Sequence, residues 1–86
     1  MDAHRKRLLF RAHHMGVQEN DILFGSFADA QLSSLSNEQI DRFENLLKVG
    51  DPDLLLWATG AKPVPAEYDT DVMAMLRTFA RNRGAA

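Results

Sequence analysis

The 86-residue chain contains no cysteine, which excludes disulfides, thiolate nucleophiles and zinc–sulfur sites. Glycine is sparse and dispersed, at positions 16, 25, 50, 60 and 84. None follows a strand-like run, so no phosphate-cradling loop is spelled out. No apolar run approaches the roughly 18–20 residues of a membrane span. No apolar segment leads into a small-residue cleavage site of the signal-peptide kind. A chain this short buries only about 60–65% of its unfolded surface, which argues against a deep cofactor cavity. What is present is globular in composition, 45% apolar and 26% charged. The expectation is one soluble, intracellular domain over residues 1–86, with a radius of gyration of about 12 Å, working through its surface.

The formal charge of −2 hides a pattern. Residues 1–16 carry Arg5, Lys6, Arg7 and Arg11 against Asp2, a net of +3. The stretch 17–76 is net −8, and residues 77–86 add Arg77, Arg81 and Arg83. Two basic ends flank an acidic middle. If the ends pack together, one face is basic and suited to charge-steered docking on a protein. The plainer reading, a solvated charged surface, stands beside it.

Helical periodicity runs through the chain. Leu8, Leu9 and Ala12, with Arg5 and Arg11 outside the stripe, predict a helix over about 3–15, ended by Gly16. Residues 18–31 repeat apolar side chains at Ile22, Leu23, Phe27 and Ala30, with Phe24 widening the face. Gly25 weakens that helix by roughly 1 kcal/mol of propensity. The short connection makes the two an antiparallel pair. Ser36 and Gln39 form a capping box, and Leu35 with Ile40 a hydrophobic staple. The stripe Ile40, Phe43, Leu46 and Leu47 follows and ends at Gly50. Asp51-Pro52-Asp53 opens a short, nearly all-apolar helix with Leu54, Leu55, Leu56 and Trp57, closed by Gly60 and expected at the centre of the core. Pro63 and Pro65 mark a loop. A last helix is predicted from about Glu67 to Arg81, with Val72, Met73, Leu76, Phe79 and Ala80 inward. The fold class is all-α, a small single-domain five-helix bundle.

Catalytic chemistry is poorly served, and no catalytic or metal-ligating residue is assigned. His13 and His14 are adjacent on a helix and point about 100° apart, and His4 has no carboxylate at ligand spacing. Ser33, Ser34 and Ser36 read as turn and cap residues, and nothing indicates a Ser–His–Asp arrangement. Glu19 and Asp21, just after Gly16, either stabilise the positive end of the second helix or present carboxylates to a partner. Asn20, if buried without a hydrogen-bond partner, costs about 1–3 kcal/mol. Nucleic-acid binding through Arg5, Lys6, Arg7 and Arg11 is disfavoured by the negative total charge and by the lack of a recognition-helix pair. Trp57 and Phe43 read as core.

The run from Arg5 to Ala28, centred on His14-Met15-Gly16-Val17-Gln18-Glu19-Asn20-Asp21, resembles the start of the SdhE, or succinate dehydrogenase assembly factor 2, family. That family's hallmark is Arg-Gly-x-x-Glu followed one residue later by Asp. Leu35-Ser36 through Leu47, Asp51-Pro52-Asp53-Leu54 leading to Trp57, and Leu76 to Gly84 also resemble it, so the likeness covers about residues 5–84. It implies a small helical assembly factor, not an enzyme. The partner it implies is the flavoprotein subunit of succinate dehydrogenase, and in some members that of fumarate reductase, with no nucleic acid. The factor promotes covalent FAD attachment to a histidine of that subunit and holds no cofactor of its own.

Carried over residue by residue, the resemblance makes Gly16, Glu19 and Asp21 the partner-binding core, extended by Arg7, Arg11 and His14. Met15 stands where the family has arginine and lacks its charge and five donors. A natural divergent member, a paralogue that has lost flavinylation, and an altered variant all fit that departure. An adaptor or regulator without flavinylation activity is the alternative function. The expected location is the bacterial cytoplasm rather than the mitochondrial matrix.

Overall fold

A computed structural model describes residues 2–16, 18–49 and 52–84. Its helices are α1 (Ala3–His13), α2 (Gln18–Gln31), α3 (Asn37–Val49), α4 (Pro52–Thr59) and α5 (Asp71–Gly84), with 3-10 turns at Leu32–Ser34 and Ala66–Tyr68. No strand occurs among the described residues, so the all-α, five-helix reading holds. The radius of gyration is 11.8 Å.

Each helix begins and ends for a local reason. Asp2 caps α1, its Oδ1 accepting the Arg5 N–H at 2.8 Å. The helix stops at His13, earlier than its apolar pattern suggests, because His14 leaves helical dihedrals (φ −134°, ψ 53°). The His14 imidazole Nδ1 donates instead to the Phe10 carbonyl at 2.7 Å. Ser36 and Gln39 form the expected capping box: Gln39 Oε1 accepts the Ser36 N–H at 2.9 Å and Ser36 Oγ accepts the Gln39 N–H at 3.2 Å. Gly60 ends α4 at a φ of +85°. The predicted stop at Gly50 and cap at Asp51 lie outside the described residues.

The start of α5 differs from expectation. Glu67 belongs to the 3-10 turn after Pro65, and the helix begins at Asp71. Thr70 Oγ1 accepts the Met73 N–H at 3.4 Å, supplying the cap. Asp71 then ties α5 to α3, accepting from Gln39 Nε2 and Arg42 Nη1, each at 3.0 Å. These bonds and the Val72 N–H hold the Asp71 carboxyl below its ordinary range, the Gln39 bond most strongly.

The core gathers one face from every helix: Leu8 and Ala12, Phe24 and Phe27, Ile40, Phe43 and Leu46, Leu54 and Trp57, and Val72, Met73 and Leu76. Phe27 is its hub, 5.5 Å from the Phe43 ring and edge-on to Phe79 at 5.7 Å. Trp57 is buried beneath a stacked Tyr68 at 5.4 Å. α4 is less central than its composition suggests. It turns Leu54, Trp57 and Ala58 inward and leaves Leu55 and Leu56 half-exposed, because a helix of only eight residues lies on one side of α5.

The α1–α2 pair is antiparallel, with Met15 meeting Asp21, His13 meeting Gly25 and Arg5 meeting Leu32. Arg5 does not stay outside the stripe. Its side chain is 14% exposed and donates to the Leu32 carbonyl at 2.6 Å.

Candidate functional site

The seven residues singled out from the sequence lie on or around the α1–α2 turn, in three settings. The first builds the turn. Gly16 has φ +89°, a left-handed conformation that L side chains rarely adopt. Asp21 Oδ1 reaches back over it to accept the Met15 backbone N–H at 2.5 Å. The Met15 side chain is half-buried against the core, so it packs inward where an arginine would carry charge.

The second setting is the outer face of α1. Arg7, Arg11 and His14 fall at helical spacing on one side, and all are exposed. Arg11 also reaches Glu44 of α3 at 3.8 Å. Between them stands Phe10, 64% exposed, with the His14 ring stacked on it at 4.0 Å and 16°. Lys6, Arg7, Phe10 and Arg11 line a shallow, largely apolar depression. Phe10 and Lys6 were missing from the sequence-based set. Phe10 stands two positions from Leu8 and so on the far side of the helix from the Leu8–Ala12 stripe, but spacing alone does not show whether another element covers it.

Glu19 forms the third setting. It is exposed at the start of α2 and makes no hydrogen bond or ion pair among the described residues. No described contact joins it to Arg7, Arg11 or His14. Its neighbour Asn20 is 1% exposed, and Asn20 Oδ1 has no hydrogen-bond partner among the described residues.

The histidines have separate engagements: His4 with Glu44 at 3.2 Å, His13 with Asp29 at 3.0 Å, and His14 with the Phe10 carbonyl. Among the described residues no three His, Asp or Glu side chains cluster as metal ligands. No described helix is long and apolar enough to cross a membrane. The turn and the outer face of α1 thus carry exposed charge and one exposed aromatic ring.

Residues 6–80 match the family model described as "Flavinator of succinate dehydrogenase". The chain belongs to this Sdh5 family. It is 37% identical to succinate dehydrogenase assembly factor 2-A, mitochondrial, of Drosophila erecta over 84 residues, 95% of this chain and 52% of that protein. Assembly factor 2, mitochondrial, of Aedes aegypti is 38% identical over 80 residues, 91% of this chain and 50% of the relative. The Danio rerio protein of that name is 38% identical over 85 residues, 96% and 54% of the two chains. The chain thus spans about half the length of the curated relatives it matches. Each of these relatives is named as a mitochondrial protein. That overturns the expectation of a bacterial cytoplasm; helix periodicity and surface charge carry no compartment address.

Proposed function

We propose that this member of the Sdh5 family docks on the flavoprotein subunit of succinate dehydrogenase and promotes covalent attachment of FAD to it. The observation that carries this reading is Glu19. A turn fixed by Gly16 and Asp21 presents its carboxylate to solvent without a partner among the described residues. Family membership supplies the class of partner. The same docking extends to the related fumarate reductase flavoprotein subunit where one is present.

In this reading the chain binds and orients, and the bond to FAD forms on the partner. Glu19 accepts a charge-assisted hydrogen bond from a basic group of the flavoprotein. Phe10, backed by the His14 ring, provides an apolar anchor of the kind that dominates small interfaces. Lys6, Arg7 and Arg11 around it speed and orient encounter with an acidic surface. Gly16 and Asp21 act through the turn's shape. No residue of this chain is assigned a catalytic role, and the flavin remains the partner's cofactor.

The test is co-expression with a succinate dehydrogenase flavoprotein subunit, reading acid-resistant flavin fluorescence and co-purification. The unsubstituted chain raises both signals. Glu19→Ala lowers flavin incorporation while the chain stays folded; unchanged incorporation removes Glu19 from the interface. Gly16→Arg abolishes docking. Binding without attachment locates a defect at Met15, and loss of both signals in the unsubstituted chain favours a diverged adaptor.

A further inference from the structure

Beyond the turn, Glu19 also lines a groove. With Ile22, Leu23, Leu55, Thr59 and Ala80 it walls an open, mostly apolar channel between α2, α4 and α5. Ile22 is 47% exposed there, a large apolar side chain on the surface of a small domain. Thr59 and Ala80 also belong to an adjoining concavity lined by Arg77 and Arg81. Those arginines sit one turn apart on α5, both exposed, and neither forms an ion pair among the described residues. The Arg77 guanidinium lies beside Gly60 at the end of α4.

Glu19 edges the apolar groove, and Arg77 and Arg81 line the concavity that adjoins it through Thr59 and Ala80. We propose that this face is the contact surface for a second copy of the chain. A two-fold axis through the apolar middle brings Ile22 and Leu55 onto their counterparts. The same rotation sets Glu19 of each copy against Arg77 and Arg81 of the other, the self-complementarity that an isologous dimer requires. Guanidinium–carboxylate pairs of this kind form strong, directional hydrogen bonds. A second copy is favoured over other occupants because this one chain supplies both complementary charges. Monomer and dimer exchange, so the dimer population follows the concentration of the chain.

One consequence rests on the function proposed above. Dimerisation covers Glu19, so self-association and docking on the flavoprotein exclude each other, and the dimer is a resting form. The dimer itself does not depend on that reading.

Sedimentation of the isolated chain from micromolar to millimolar concentration tests the proposal, with circular dichroism confirming that every variant is folded. The expected result is a concentration-dependent dimer. Glu19→Arg weakens it by about tenfold or more, as does the pair Arg77→Glu with Arg81→Glu. Combining all three substitutions restores it. A chain that is monomeric throughout overturns the proposal, and so does a dimer indifferent to the swaps or not rescued by their combination. If the Arg77 and Arg81 swaps abolish flavoprotein capture and leave sedimentation unchanged, the face belongs to the flavoprotein and the proposal is overturned. Because sedimentation contains no flavoprotein, a charge-dependent dimer alongside flavin incorporation indifferent to Glu19→Ala would sink the function and leave the dimer standing.

Discussion

Asp21 Oδ1 accepts the Met15 backbone N–H at 2.5 Å, closing the connection between α1 and α2 over Gly16. The two acids after the glycine therefore do different work. Asp21 is half-buried and consumed by the turn, whereas Glu19 faces solvent. Asp21→Ala removes a charge-assisted bond and is expected to lower stability by about 1.5–3 kcal/mol. Glu19→Ala should stay within about 0.5 kcal/mol of the unsubstituted chain. Urea unfolding of both variants checks the contrast, and equal midpoints would mean that Asp21 does not hold the turn.

Gly16 is required by its backbone alone. Its φ is +89°, and a Cβ built there meets nothing within 4 Å. Gly16→Ala is thus expected to cost about 1–2 kcal/mol through left-handed strain, with no clash to relieve. Gly16→Asn should cost less, since Asn tolerates this region better than Ala. The order of the two denaturation midpoints is the measurement. A Gly16→Ala midpoint equal to that of the unsubstituted chain would show that the turn relaxes to negative φ.

Asn20 carries the chain's clearest local cost. It is 1% exposed and its Oδ1 lacks a hydrogen-bond partner among the described residues. Asn20→Leu, with the same branching and number of side-chain heavy atoms and a better helix former, is expected to stabilise by about 1–3 kcal/mol, less whatever its bulkier methyl groups cost in packing. Thermal unfolding decides, and a lower melting temperature would mean that the amide makes a compensating contact.

What the sequence made legible was local. Ser36 with Gln39, and the glycines at 16 and 60, act within a few residues of themselves, so their patterns could be read directly. The buried stripe of α3 followed from spacing. What escaped depended on distant chain. Arg5 turns inward because the Leu32 carbonyl, 27 residues away, offers an acceptor. Leu55 stays half-exposed because α4 is covered on one side only. In the site, Gly16, Glu19 and Asp21 came from a family resemblance; their division of labour needed the Asp21 to Met15 bond. Phe10 was missed because a lone apolar residue off the stripe gives no sign of whether another element covers it.

Gly25 illustrates the same limit and yields a coupled prediction. By propensity alone Gly25→Ala would stabilise α2 by about 1 kcal/mol. The added Cβ, however, would sit 2.5 Å from His13 Nδ1 and 3.0 Å from its Cγ. The ring must move, and its 3.0 Å contact with Asp29 is lost. The single substitution should therefore fall short of the propensity gain, while His13→Ala with Gly25→Ala recovers it. A double-mutant cycle in urea measures the coupling, expected at about 0.5 kcal/mol or more. Strict additivity would mean that the two residues do not share space.

The junction of α3 and α5 sets a pH dependence. The Gln39 amide, then the Val72 N–H and Arg42, hold the Asp71 carboxyl below its ordinary value. In the unfolded chain an aspartate titrates near pH 4, at about 3.9. A carboxyl depressed by folding contributes stability that is present above that value. The contribution is lost as pH falls through the lower, folded pKa. Urea midpoints taken from pH 7 downward should therefore decline below about pH 4, and Asp71→Asn should flatten part of that decline. Asp2, depressed chiefly by the Arg5 N–H it caps, supplies a second part that Asp71→Asn leaves in place. An identical acid slope in the variant would show that Asp71 titrates alike in the folded and unfolded chains.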